Sequence, residues 1–183
     1  MAPASASWPT FRKASTAEDS WPASTAPASA LTAVTSIAPS DGTIGSTLSL
    51  TGNESDERLD VTLVKVVDPA RAANQFATPE AGNRFVAVQF RLKNTGEASY
   101  KDAPGNGAEL VDGDGQHFSA SLYAPSKAGP PFPGTVSVTP GDTALGYLTF
   151  ELPAAAEPVT AQFPMNSGFS DDVGEWDLTR TPV

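Results

Sequence analysis

The densest group of potentially reactive side chains is acidic: Asp171, Asp172, Glu175 and Asp177 fall within seven residues. Carboxylates that close either face water or converge on a hard cation, and calcium gathers oxygen ligands of this kind. The four are therefore candidate calcium ligands, and no other cofactor is implied. A second acidic run, Asp112-Gly113-Asp114-Gly115, opens as a calcium loop does, with carboxylates at alternate positions. It does not continue as one. The next alternate position is Gln116, and the twelfth is Tyr123 where such a loop needs a bidentate Glu. A tight hairpin turn suits this run better, because Asp-Gly supplies the positive φ that such turns require.

His117 is the single histidine, so a Ser-His-Asp site would have to use it. No G-x-S-x-G elbow accompanies it, and His117 reads as an ordinary exposed or edge residue. Cysteine is absent, which removes disulfides, thiolate metal sites and cysteine nucleophiles together. Paired carboxylates for glycoside hydrolysis are identified only by their separation in space, so a small carboxylate-dependent hydrolase stands as a rival reading. Phe132 is a candidate of a different kind. Within Gly129-Pro130-Pro131-Phe132-Pro133-Gly134 it is the one aromatic on a proline-set loop, and such a loop presents a pre-organised contact at little ordering cost. The competing expectation is that Phe132 folds inward and plugs one end of the domain.

Charge narrows the partners. The chain carries 11 Lys and Arg against 21 Asp and Glu, a net charge of −10. Arg12, Lys13, Glu18 and Asp19 cancel in the first 40 residues, so the whole excess belongs to the remainder. No basic stripe is evident, and nucleic acid is excluded as the expected partner.

The elements that must position these residues are strands. Residues 1–42 are dominated by Ala, Ser, Thr and Pro without a helical or strand period, and are expected to form a disordered tail. They contain no apolar run of the length an export signal needs, and no transmembrane segment is evident in the chain. From residue 43 to 180 short alternating runs recur between Gly, Pro, Asn and Asp clusters, the pattern of an all-β sandwich. Expected strands are 47–51, 59–67 with a bulge, 84–93, 108–111, 116–119, 135–138, 144–152, 159–163 and 175–178, about eight or nine in all. Residues 108–111 and 116–119 should form one hairpin, and 135–138 with 144–152 another around Pro140-Gly141-Asp142. One helical turn is expected around 70–74, and 120–134 should be extended. Trp176 should pack in the core or at its edge.

Gly82-Asn83-Arg84-Phe85-Val86-Ala87-Val88 leading to Leu92-Lys93-Asn94-Thr95-Gly96, then Pro140-Gly141-Asp142 before Gly146-Tyr147-Leu148-Thr149-Phe150-Glu151-Leu152-Pro153, resemble a family of actinobacterial envelope proteins. That family is a domain of unknown function, grouped with a mycobacterial secreted immunogenic protein family, and its members are commonly secreted proteins or lipoproteins. The resemblance spans about Thr43 to Leu178. It implies an immunoglobulin-like antiparallel β-sandwich and an extracellular or cell-envelope location, and it carries over no catalytic residue. The expected function is an extracytoplasmic, non-catalytic binding or interaction module for an unknown protein or cell-envelope ligand. An anchored structural envelope component is the alternative.

Overall fold

Residues 40–121 and 124–180 are described by the structure, a computed structural model. Residues 1–39 lie outside the described residues, and with them most of the expected tail. The chain forms strand β1 (Ser40–Thr43), and alternation of apolar and polar side chains lays out β2 (Thr47–Thr51), β3 (Arg58–Ala70), β4 (Asn83–Asn94), β5 (Tyr100–Asp102) and β6 (Glu109–Asp112). They are followed by β7 (His117–Ser119), β8 (Val136–Val138), β9 (Thr143–Pro153), β10 (Pro158–Pro164) and β11 (Val173–Asp177). One sheet has the order β1-β11-β10-β6-β7, the facing sheet β2-β3-β4-β9, and β5 with β8 forms a short third ladder. The fold is an all-β sandwich, and among these strands every pairing is antiparallel except β1 on β11.

The core lies between the two large sheets. Val61, Leu63, Val86, Val88, Phe90, Leu92, Phe150 and Leu152 line one inner face, and Leu110, Ala161, Phe163 and Trp176 line the other, all fully buried. Phe90 joins the layers, with ring centroids 5.2 Å from Phe163 and 5.6 Å from Trp176 in an edge-on arrangement, geometries that aromatic quadrupoles favour. Trp176 is thus a core residue, and its indole N–H donates to the Ser46 carbonyl at 3.2 Å.

Three local expectations differ from the structure. First, Ser40–Thr43, placed in the tail by composition, pairs in parallel with β11. The boundary expected at residue 43 therefore falls inside a strand. Second, 135–138 does not pair with 144–152: β8 pairs with β5, and β9 with β4. The turn between them is tied to the end of β4, where Gly141 N donates to Asn94 O and Asn94 N to Asp142 O, while the Asn94 side chain donates to the Val138 carbonyl. This knot passes the chain from one layer to the next instead of folding it into a hairpin. Third, no helical turn forms at 70–74. Strand β3 runs to Ala70, after which Ala72 bridges Ser126 and the Asn74 side chain accepts from Phe76 N and Ala77 N. Asn is well suited to such local side-chain turns. The β3 bulge is present, as a register shift between Leu63 and Lys65 against β4.

Candidate functional site

The acidic quartet is distributed, not convergent. Alternation along β11 turns Gly174 and Trp176 inward and Glu175 and Asp177 toward the outer face. Glu175 stands opposite Gln162, whose Nε2 donates to it at 2.7 Å. Asp177 accepts from Thr179 Oγ1 at 2.6 Å and Thr179 N at 2.8 Å and pairs with Arg180 at 2.9 Å. The Thr179 hydroxyl, with the other donors, holds the Asp177 carboxyl below its ordinary pKa. Asp172 faces another strand and accepts from Thr51 N at 2.8 Å, while Asp171 is exposed. Among the described residues no group of three or more His, Asp or Glu side chains is arranged to hold a metal ion. In the other acidic run, Asp112 Oδ1 accepts from Asp114 N at 3.0 Å and Gln116 N at 2.9 Å. With Gly115 at φ 80°, this is a hairpin turn joining β6 to β7.

His117 lies on the outer face of the edge strand β7, half exposed, with Nδ1 2.6 Å from Glu109 Oε2. Ser119 Oγ donates to the other oxygen of the same carboxylate at 3.2 Å. The carboxylate therefore stands between hydroxyl and imidazole. Nucleophilic catalysis needs the hydroxyl bonded to the imidazole instead, so this trio anchors β7 to β6.

Phe132 has the most informative surroundings. Its amide donates to the Tyr147 carbonyl at 3.2 Å, and Tyr147 N donates to Pro130 O at 3.0 Å. The proline loop is thereby laid against the outer edge of β9. A few residues further along that edge, Ser121 N donates to Thr149 O at 2.7 Å. Between the two attachments lies a cavity of about 460 Å³ lined by Ala120, Ser121, Phe132, Tyr147, Leu148 and Thr149, among others. Phe132 is partly buried and packed on the main core. Its ring lies against Gly146, where a Cβ would fall 2.6 Å from Phe132 Cγ. Phe132 folds inward, then, and in doing so becomes a wall of the cavity.

No Asp, Glu, Lys, Arg or His lines this cavity among the described residues. In a chain of net charge −10 such a lining favours an uncharged ligand, because a charged one would be desolvated without a partner. Volumes of about 300–1,000 Å³ with mostly apolar walls are usual for small-molecule sites. Tyr147 is the wall residue that sequence reasoning passed over. The signal was present: along β9 the core positions are Leu148, Phe150 and Leu152, so alternation sends Tyr147 to the opposite face. There it forms a second small cluster with Ala70, Phe85, Ala87 and Ala124, and Lys65 Nζ lies 5.7 Å from its ring centre.

One polar cluster also escaped the sequence reading. The Tyr100 hydroxyl donates to Asp102 at 2.9 Å, Asp102 accepts from Ser167 N at 2.8 Å, and Asn166 Nδ2 donates to Glu57 at 2.8 Å. Asn166 and Ser167 both hold positive φ, 52° and 55°. Burial first, then the charge of Asp102, pushes the Tyr100 pKa far above its ordinary value. The donors and acceptors here satisfy one another.

Residues 52–173 match a protein family described as Domain of unknown function (DUF4352). No curated protein matches the chain. Among solved structures, the fold is similar to that of MPT63, a secreted protein from Mycobacterium tuberculosis, with 18% identity, a TM-score of 0.55, and 78% of this chain and 99% of that one covered. It is also similar to the yjhA protein from Bacillus subtilis, with 18% identity, a TM-score of 0.52 and coverage of 75% and 98%. Among the described residues no helix is long and apolar enough to cross a membrane.

Proposed function

The chain belongs to the DUF4352 family, and we propose that it acts outside the cytoplasm as a non-catalytic binding module, taking an uncharged, partly apolar ligand into the cavity at the edge of β9. The observation that carries this reading is the cavity itself, walled by Phe132 and Tyr147 and free of ionisable Asp, Glu, Lys, Arg and His among the described residues. The secreted nature of the mycobacterial protein of like fold supports the extracytoplasmic setting. The non-catalytic part is supported by the functional groups: the imidazole, the Ser119 hydroxyl and the carboxylates of Asp172, Glu175 and Asp177 serve cross-strand and turn hydrogen bonds.

A neutral solvatochromic dye, Nile red, tests the cavity. Gly134 lines it, is not held at positive φ, and has no heavy atom within 4 Å of where a Cβ would stand, so Gly134→Trp should fold and place an indole across the mouth. Wild type is expected to bind the dye saturably with a blue-shifted emission, and Gly134→Trp to lose this while keeping its melting temperature. Equal binding by both proteins overturns the assignment. Fractionation of producing cells tests the setting: recovery in the medium or envelope supports it, and recovery confined to the cytosol refutes it.

A further inference from the structure

A second site lies on the outer face of the four-stranded sheet and is independent of the cavity. On β4, Arg91 and Lys93 occupy consecutive outward positions, both exposed. Arg91 stands opposite Thr62 and Lys93 opposite Asp60 on β3, with Thr47 and Ser49 of β2 beyond them and Thr143 of β9 on the other side. All of these but Ser49 line a shallow basin of about 510 Å³. Its floor is the Thr62 side chain, only 4% exposed, whose hydroxyl shares a 2.8 Å hydrogen bond with Thr47 Oγ1 and lies 3.5 Å from Arg91 Nη2.

Among the described residues neither cation has a carboxylate partner within ion-pair distance. Ion pairs among the described residues join Arg84 to Asp68, His117 to Glu109 and Arg180 to Asp177. Asp60, the one acid in the basin, accepts from Ser49 Oγ at 2.6 Å. Arg91 and Lys93 stand two residues apart on one strand, their Cα atoms about 6.6–6.8 Å apart, and like charges that share one face repel. An anion between them would relieve that repulsion.

The donors converge from three strands: the Thr47 hydroxyl, the Arg91 guanidinium with the Lys93 ammonium, and the Thr143 hydroxyl. A planar carboxylate uses donors lying near one plane, whereas tetrahedral phosphate oxygens accept from several directions, from an Arg fork and from a Lys point charge alike. The residues lining the basin carry a positive charge, Arg91 and Lys93 against Asp60, and the neighbouring Asp142 carboxylate is turned to the Thr139 hydroxyl. Glu109, Glu175 and Asp177 occupy the outer face of the opposite sheet. Stacked sheets lie about 10 Å apart, beyond a Debye length of about 8 Å at physiological ionic strength. We propose that this basin binds a phosphate group, held chiefly by Arg91 and Lys93 with Thr47 and Thr143 completing its shell.

The test is amide chemical-shift titration of the full chain at constant ionic strength, with sodium phosphate in one arm and inorganic polyphosphate in the other. Saturable shifts centred on Lys93 and Thr143 are expected. Saturation by both probes assigns the isolated group, and saturation by polyphosphate alone assigns phosphate borne on a polymer. Arg91→Gln with Lys93→Gln should weaken binding at least about tenfold, since both charge-assisted contacts are lost, and Asp60→Asn should tighten it. Lys101→Gln, on β5 and outside the basin, should leave it unchanged. Absence of saturation with both probes at tens of millimolar overturns the proposal, and so does an equal loss with Lys101→Gln, which would mean non-specific charge. Nile red binding is read separately, so either site can fail alone.

Discussion

Replacing Gly42 with Ala tests the least expected element of the fold, the parallel strand β1. Gly42 stands opposite Trp176 in the β1–β11 register, and a Cβ at this position would fall 2.5 Å from Ser46 Oγ and 2.7 Å from Trp176 Cδ1. The indole cannot retreat. It is fully buried, Gly174 is so close that its own Cβ would lie 2.6 Å from Trp176 Cη2, and Phe90 packs on it at 5.6 Å. Nor is Ser46 free to move, since its hydroxyl accepts from Thr43 N and donates to Thr43 O, both at 2.7 Å. Overpacking of a filled core costs about 1–3 kcal/mol, and two immobile neighbours place Gly42→Ala near the middle, about 2 kcal/mol. At about 2–4 °C per kcal/mol for a domain of this size, the melting temperature should fall by roughly 4–8 °C. Urea unfolding followed by tryptophan fluorescence measures it, in a Trp8→Phe, Trp21→Phe background that leaves Trp176 as the reporter. Gly113→Ala is the control: its Cβ would meet only Val159 Cγ1 at 3.9 Å and its φ is not positive, so it should be neutral or stabilising by up to about 1 kcal/mol. A Gly42→Ala protein within about 0.5 kcal/mol of wild type would refute the packing of β1 on the indole.

Tyr100 predicts a pH dependence. Its phenol pKa is raised on folding, chiefly by burial, so the unfolded chain releases this proton at about pH 10 while the folded chain retains it. The resulting stability is complete below that pH and is lost as pH rises beyond it. Urea midpoints measured into the alkaline range should show the decline, and Tyr100→Phe should flatten it at a cost near neutral pH of about 1 kcal/mol for the lost hydrogen bond; an unchanged alkaline slope would contradict this origin. Arg84 holds Asp68 with two bonds, at 2.7 and 2.9 Å, and the Pro153 carbonyl with a third at 2.8 Å, and the hydrogen bond to Asp68 leads the causes that raise its pKa. Arg84→Lys loses the fork and should cost about 1 kcal/mol, measured as a urea midpoint shift, and a neutral result would show the pair to be ornamental. The acidic runs yield a joint prediction. Millimolar calcium should leave the melting temperature within about 1 °C of its value in chelator, whereas Asp112→Ala should destabilise by about 1–2 kcal/mol because two turn N–H groups lose their acceptor. A calcium-dependent rise would restore the quartet as a metal site.

The sequence was legible where side chains alternate and silent where pairing is decided by something else. Strand β2 lies at 47–51 as alternation required, and Arg84–Lys93 became the central β4 because Val86, Val88, Phe90 and Leu92 have nowhere else to face. By contrast, Ser-Asp-Gly-Thr at 40–43 has no apolar residue. It is a strand because Gly42 is the residue that fits against an indole supplied from 134 positions later, a fact carried by the tertiary contact alone. The 135–138 pairing failed for a similar reason, since the Pro-Gly turn is directed by the Asn94 hydrogen bonds and not by its own length.

The candidate sites divide in the same way. Phe132 could be singled out because a proline-set aromatic is locally visible, but its role depended on Tyr147, whose outward position matters only once Ala120, Ser121 and residues 130–132 lie along β9. The charge reading changed most. Composition located the net −10 only to the part of the chain after residue 40, whereas the register gives Glu109, Glu175 and Asp177 to one outer face and Arg91 and Lys93 to the other. Opposite outer faces of a sandwich are screened from each other at physiological salt, so total charge is a poor guide to what either face attracts. The discriminating quantity is the charge within a Debye length of each face. By that measure an acidic chain can present a phosphate-sized basic basin, and Asp60→Asn, which alters the total charge by one unit but doubles the net positive charge of the basin, separates the local from the global account.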